Sequence, residues 1–458
     1  MHKLSRQNDV IYLTVGTSVI FIIVLLLCIY IRTGGSYILF ATSLGAIPTG
    51  FTIIIISYML RNADKRIQLV WCSIIMILIR SVHLWRPGID FGDEWNLIRE
   101  TTYYFQKGIL VGYLKSFPAN IPFVAIFYAF YLISHDVETF ELLVFFVYPL
   151  LIVGYYFMAK EITNLYRTSS KPAIPVIMFL PFVPIFSIIT TFYWPQVMSL
   201  AVLFFSCAIL LRLLSLESLN AKNWVMIMAS STILVFSHAI STALFLLTIL
   251  FLYLSCGNGA KRWILLRVGV FTFLTFTLAH FNLVSYVINM IIYAIQRDAI
   301  SLQVIDQLDF TSIESVFRNT PLMILAHTGL FIIVGSLILL RAYRLLNHDS
   351  IVTIRSKILF LEWLALLKSD TIVFSYLGFS VLSFVLAFYL YGGFLDPIRV
   401  MSWASLFALP VVIPSKKRDA LLLMVILLAL FFLLIWTVNS PWGYLYGSVN
   451  GLTTRARS

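Results

Sequence analysis

Charge is what this chain has least of. Only 11% of its 458 residues are Asp, Glu, Lys or Arg, where soluble domains carry about 25%. With 60% hydrophobic residues and a mean hydropathy of +0.95, that balance argues against a water-soluble fold. Cysteine is nearly as scarce. Cys28, Cys72, Cys207 and Cys256 stand in or at the ends of apolar stretches with no metal-ligand spacing, which speaks against a zinc site and a disulfide framework. There is no HExxH, Walker A or GxGxxG motif in a suitable context. Nor is there an internal repeat of the kind many secondary transporters carry. No small-residue cleavage site follows the first apolar stretch, so Val10 to Ile31 is expected to stay as a helix.

What is present is a succession of apolar runs of roughly 20 residues, the length that crosses a bilayer as a helix. The expected fold class is all-α, a polytopic integral membrane protein of about 13 transmembrane helices. The spans fall at 10–31, 37–60, 67–84, 138–159, 173–190, 196–214, 223–237, 241–255, 264–293, 321–340, 371–391, 398–413 and 420–438. The formal charge of +12 follows this topology and does not point to nucleic acid. With the N-terminus inside, the inner segments hold 21 Lys/Arg against 8 Asp/Glu, and the outer segments 11 against 12. That is the positive-inside signature. Anionic lipid headgroups are the natural partners of the inner loops at 61–66, 341–368 and 416–418.

The charges that remain are placed unevenly. The third span runs into Trp85-Arg-Pro-Gly-Ile-Asp-Phe-Gly-Asp-Glu-Trp95, an acidic loop at the expected outer edge of the bilayer. Ile98 to Leu114 follows with the spacing of an interfacial amphipathic helix. Ile121 to Ser134 comes next, apolar but too short for a full crossing. Residues 85–137 thus form one outer module. Pro172, Pro175, Pro181, Pro184 and Pro195 punctuate the fifth span and its exit. A second outer loop runs from Gln296 to Asn319.

In order, these parts resemble the GT-C glycosyltransferases, membrane enzymes that take a sugar from a polyprenyl-phosphate carrier on the outer face. The resemblance spans residues 67–215. It rests on Asp93-Glu94 in the first outer loop, on Phe117-Pro-Ala-Asn-Ile-Pro-Phe123 for the proline motif, and on Ser134-His-Asp-Val-Glu-Thr-Phe140 before the fourth span. The group it is similar to includes the oligosaccharyltransferases, protein mannosyltransferases and aminoarabinose transferases. One departure stands out: the next outer loop, Thr190-Thr-Phe-Tyr-Trp-Pro-Gln196, has no second carboxylate.

The resemblance implies Asp93 as general base, with Glu94 as its substitute. If a divalent metal (Mg or Mn) takes part, these two would hold it. Arg399, beside Asp396 at the outer start of the twelfth span, suits the leaving phosphate, because its planar fork grips two phosphate oxygens. His238, in Phe236-Ser-His-Ala-Ile-Ser-Thr242, sits at a very short outer turn and is a second candidate for that phosphate. His135, Trp194, Gln196 and Asp396 are the remaining substrate-binding candidates; capping the fourth span is the plain alternative for His135. The implied partners are a polyprenyl-phosphate-linked sugar, a glycan, lipid or protein acceptor, and the bilayer.

The chain is expected to lie in the plasma membrane with a cytoplasmic N-terminus and an extracytoplasmic active site. Its expected divisions are an N-terminal helical hairpin at 1–66, a GT-C-like core at 67–215, C-terminal helices at 216–438 and an outer tail at 439–458. A transporter or flippase of lipid-linked sugars would want ionisable residues in mid-span, where this chain has few. A polysaccharide polymerase or ligase would want a late outer loop rich in arginine, and 296–319 has two. A non-catalytic assembly protein is the remaining alternative.

Overall fold

A computed structural model describes residues 9–23, 46–84, 144–165, 172–183, 194–216, 220–281, 321–349, 370–389 and 397–439, with isolated residues at 129, 132–133 and 285. Among these, all regular structure is helical and there is no strand. The α-helices are α1 Asp9–Ile23, α2 Ala46–Met59, α3 Lys65–Leu84, α4 Val144–Leu165, α5 Trp194–Ser215, α6 Ala221–Ser237, α7 Ala239–Ser255, α8 Gly259–Ala279, α9 Pro321–Asp349, α10 Thr371–Tyr389, α11 Pro397–Val412 and α12 Lys417–Asn439. Two stretches, Val197–Ser215 and Gly259–Ala279, are long and apolar enough to cross a membrane; α1, α7 and parts of α9, α10 and α11 are shorter apolar helices.

The helix ends are set by polar residues at one end of the bundle. Asn220 caps α6 by accepting from Asn223 N at 2.9 Å, and Asn258 caps α8 by accepting from Ala260 N and Lys261 N. Asp370 accepts from Ile372 N and Val373 N at the start of α10, and also takes the Arg341 Nε of α9 at 2.6 Å. Between α2 and α3, the Gln68 amide donates to the carbonyls of Leu60, Arg61 and Ala63 and so closes the turn. Each interaction satisfies backbone groups that a helix terminus leaves open.

The expected fifth span takes a different form. Its described part is a 3₁₀ helix, Val176–Phe182, closed by Met178 N to Pro175 O and Val183 N to Leu180 O. Pro172, Pro175 and Pro181 lack the N–H groups that α-helical bonds need, so the chain takes the tighter form. Two other boundaries move. α9 runs to Asp349, nine residues into what the sequence suggested was loop, and α8 breaks at a turn at His280 within the span drawn to 293, with Phe281 and Ser285 helical beyond it. The described part of α4, Val144–Leu165, runs past the 138–159 expected at its C-terminal end.

The core is built around α4, α5 and α11. Gly154 of α4 faces α5 so closely that a Cβ there would stand 3.1 Å from Ala201 O and 3.2 Å from Phe204 Cβ. Glycine permits such an approach, because a side chain there would meet the neighbouring backbone. The buried Tyr155 hydroxyl donates to Leu406 O at 3.1 Å, tying α4 to α11. Trp403 of α11, 1% exposed, stacks on Phe204 at 5.8 Å and donates its indole N–H to Thr248 Oγ1 of α7 at 2.9 Å.

These contacts fix the direction of the helices. Ala173 N donates to Pro414 O, so the exits of α4 and α11 lie together. α5, α6, α7 and α8 run as successive hairpins, with the starts of α5 and α7 joined by the Ser199–Ser241 hydroxyl pair at 2.8 Å. The starts of α4, α5, α7 and α11 and the exits of α6 and α8 therefore share one end. The caps at Asn220, Asn258 and Asp370 lie at the other.

Candidate functional site

The end opposite the caps carries a compact polar group. α6 and α7 are separated by one residue, His238, whose backbone is extended (φ −169°, ψ 130°). So abrupt a break changes how the carbonyls of the last turn of α6 are met. Leu234 O is met by His238 N at 3.2 Å and by Thr242 Oγ1 at 3.2 Å. Val235 O is met by His280 Nε2 at 2.9 Å, from the far end of α8. A carbonyl only accepts, so His280 must carry its proton on Nε2. His280 is buried, and Phe276 packs on its ring at 4.9 Å. Ser237 Oγ returns to Ile233 O at 2.6 Å, and the buried Ser199–Ser241 pair lies one turn further in.

The result is a hydroxyl- and imidazole-lined end of the bundle. The described residues there include no carboxylate. The Ser237, Thr242 and His280 donors are engaged by backbone carbonyls, and Ser199 and Ser241 by each other.

The helix register brings a further position to this level. Arg399 is the third residue of α11, one turn before Trp403, or about 6 Å along the axis. Ser199 lies about 7.5 Å along α5 from Phe204, on which Trp403 stacks. Position 399 and the Ser199–Ser241 pair thus stand at similar depth. Trp194 is the first residue of α5 and Gln196 the third, so both positions lie at the same end, beyond Ser199. α3 also ends there, at Leu84, directly before the acidic segment.

His238 is half-buried at the turn, as its short-loop sequence context suggested. Asp93, Glu94, His135 and Asp396 lie outside the described residues, as does most of the 85–137 module. Of the short apolar stretch 121–134, the described residues Ala129, Leu132 and Ile133 are helical and exposed. Among the described residues there is no cluster of three His, Cys, Asp or Glu that could hold a metal. Cys72, Cys207 and Cys256 are free thiols. Sequence reasoning missed Ser199, Ser241, Thr242 and His280. A signal existed for two of them, because Ser241 and Thr242 follow His238 within the stretch Phe236 to Thr242, in the first turn of α7.

The chain matches no family model, no curated protein and no solved structure.

Proposed function

We propose that this chain is an integral membrane glycosyltransferase that moves a sugar from a polyprenyl-phosphate carrier to a glycan, lipid or protein acceptor on the extracytoplasmic face. Its membrane placement is supported by two helices of spanning length and by apolar side chains that face outward along α1, α8 and α12, such as Val15, Phe21, Val270, Phe273, Leu422 and Val425. Patches of that extent are not left to water in soluble monomers.

In the proposed reaction, an acceptor hydroxyl attacks the anomeric carbon as Asp93 takes its proton. The bond from that carbon to the carrier's phosphate oxygen breaks, and its electron pair stays on the lipid phosphate. One base suffices for such an inverting displacement. Arg399 and His238 meet the negative charge that grows on the leaving phosphate. Trp194, Gln196, His135 and Asp396 are the proposed contacts to the sugar.

The observation that carries this reading is the convergence at one end of the bundle. The start of α11, the Ser199–Ser241 pair and the His238 turn share the end at which α3 hands over to the acidic segment. The described residues at this end carry no acid that would repel a phosphate, and the sequence supplies the acids from the adjoining loop.

The test is transfer itself. Purified protein in nanodiscs is given a panel of radiolabelled polyprenyl-phosphate sugars with membrane extract as acceptor source. Loss of label from the carrier into a new product supports the enzyme. Label that crosses between leaflets of a proteoliposome, still attached to its carrier, identifies a flippase instead.

A further inference from the structure

Between Glu217 and Gln296 the sequence holds no carboxylate, yet it carries Lys222, Lys261, Arg262 and Arg267. All four belong to the opposite end of the bundle from His238, where α6 and α8 begin. Arg262 has a structural task. Its Nε donates to Cys256 O at 2.5 Å and its guanidinium lies 5.7 Å from the Tyr253 ring centroid, which closes the α7–α8 link. Arg267 has no such task. It is exposed, about 12 Å into α8, and its contacts among the described residues are aromatic. Its guanidinium carbon is 5.9 Å from the Trp224 ring centroid on α6 and 5.8 Å from that of Trp263. Further along α8, Val270, Phe273, Leu274 and Leu278 face outward as a continuous apolar wall.

We propose that Arg267, Trp224 and Trp263 bind the phosphate headgroup of an anionic phospholipid whose acyl chains lie along α8. Arginine is costly at the edge of hydrocarbon and is retained where it meets a phosphate or a partner charge. No carboxylate in this stretch of sequence can serve as that partner. Two indoles beside the guanidinium hold it by cation–π attraction, and its in-plane N–H groups suit phosphate oxygens two at a time. Trp263 is exposed and Trp224 half-buried, and tryptophans at this depth are typical of the headgroup zone. The apolar wall beyond the cation favours a lipid over a soluble anion, which would gain nothing from Val270 or Phe273. The site rests on the membrane placement proposed above and not on sugar transfer, which belongs to the other end.

The experiment is native mass spectrometry of the detergent-purified full chain titrated with phosphatidylglycerol or phosphatidylcholine. Wild type should retain phosphatidylglycerol selectively. Arg267→Gln should lower that retention about fivefold or more, Trp224→Leu should lower it as well, and Arg267→Lys should recover part of it. Lys160→Gln, an exposed basic residue near the exit of α4 at the same end, should leave it unchanged. Arg267 is exposed, so its variant decides the matter even if Trp224→Leu fails to fold. Equal retention by wild type and Arg267→Gln overturns the site, as does an equal loss in Lys160→Gln, which would mean diffuse charge. Displacement by millimolar inorganic phosphate would make it a soluble-anion site and also overturn the proposal. Sugar transfer is not read, so a failed transferase leaves this result standing; a protein that never enters nanodiscs removes the membrane placement itself.

Discussion

The Trp403 indole reaches across the bundle to the Thr248 hydroxyl, 155 residues earlier in the chain, at 2.9 Å. Thr248 passes its own proton to Leu244 O at 2.7 Å, so the hydroxyl accepts from one helix and donates within another. A buried indole N–H without an acceptor costs about 1–3 kcal/mol. Thr248→Val is therefore expected to destabilise the protein by that amount. The double variant with Trp403→Phe should be less destabilised than the sum of the singles by about 1 kcal/mol. Thermal melting in detergent measures all four corners of the cycle, and strict additivity would show that the bond contributes nothing.

The orientation in the membrane is checked with single cysteines in a background where the native four are replaced. A cysteine at Ser134 should react with an impermeant maleimide from outside the cell. One at Ser169 should react only after the membrane is opened. If both label from the same side, residues 85–137 do not form one outer module and the assignment of every later loop changes.

Asp93→Asn keeps the size of the side chain and most of its hydrogen bonding but removes its basicity. Turnover of the identified donor should drop by about 10² or more, with the protein still present in the membrane at wild-type level. Near-normal transfer eliminates Asp93 as base and moves the test to Glu94→Gln.

Arg399 is expected to act late in the reaction, as charge gathers on the departing phosphate. A cation placed for that charge stabilises the transition state more than the bound donor, so Arg399→Ala should lower kcat as well as affinity. Arg399→Lys keeps the charge, loses the fork, and should be intermediate. Wild-type transfer by Arg399→Ala would reduce the residue to an interfacial anchor and leave His238 as the phosphate ligand to test.

Where helices lie was largely legible, because apolar length and polar caps are local. The runs drawn at 223–237 and 371–391 meet α6 and α10, and Asn220 and Asp370 mark the starts. The expected 173–190 helix was half legible: the prolines announced trouble, but a kinked span and a 3₁₀ segment share that signal. The end of α9 was missed, since its polar last turns look like loop by composition alone. The polar group at the His238 turn was mostly invisible, because its bonds join residues far apart in sequence. No pattern near Val235 announces a histidine 45 residues away. The position of Arg399 in depth was unreadable for the same reason, as it depends on which rings Trp403 meets.

That long bond between His280 and Val235 also bears on how the chain is made. α6 and α7 leave the ribosome as a hairpin with a one-residue bend, and Val235 O is then without the partner it has in the finished protein. Its donor is not synthesised until α8 is complete. A chain cut before residue 280 would leave the bend between α6 and α7 without the imidazole that meets Val235 O.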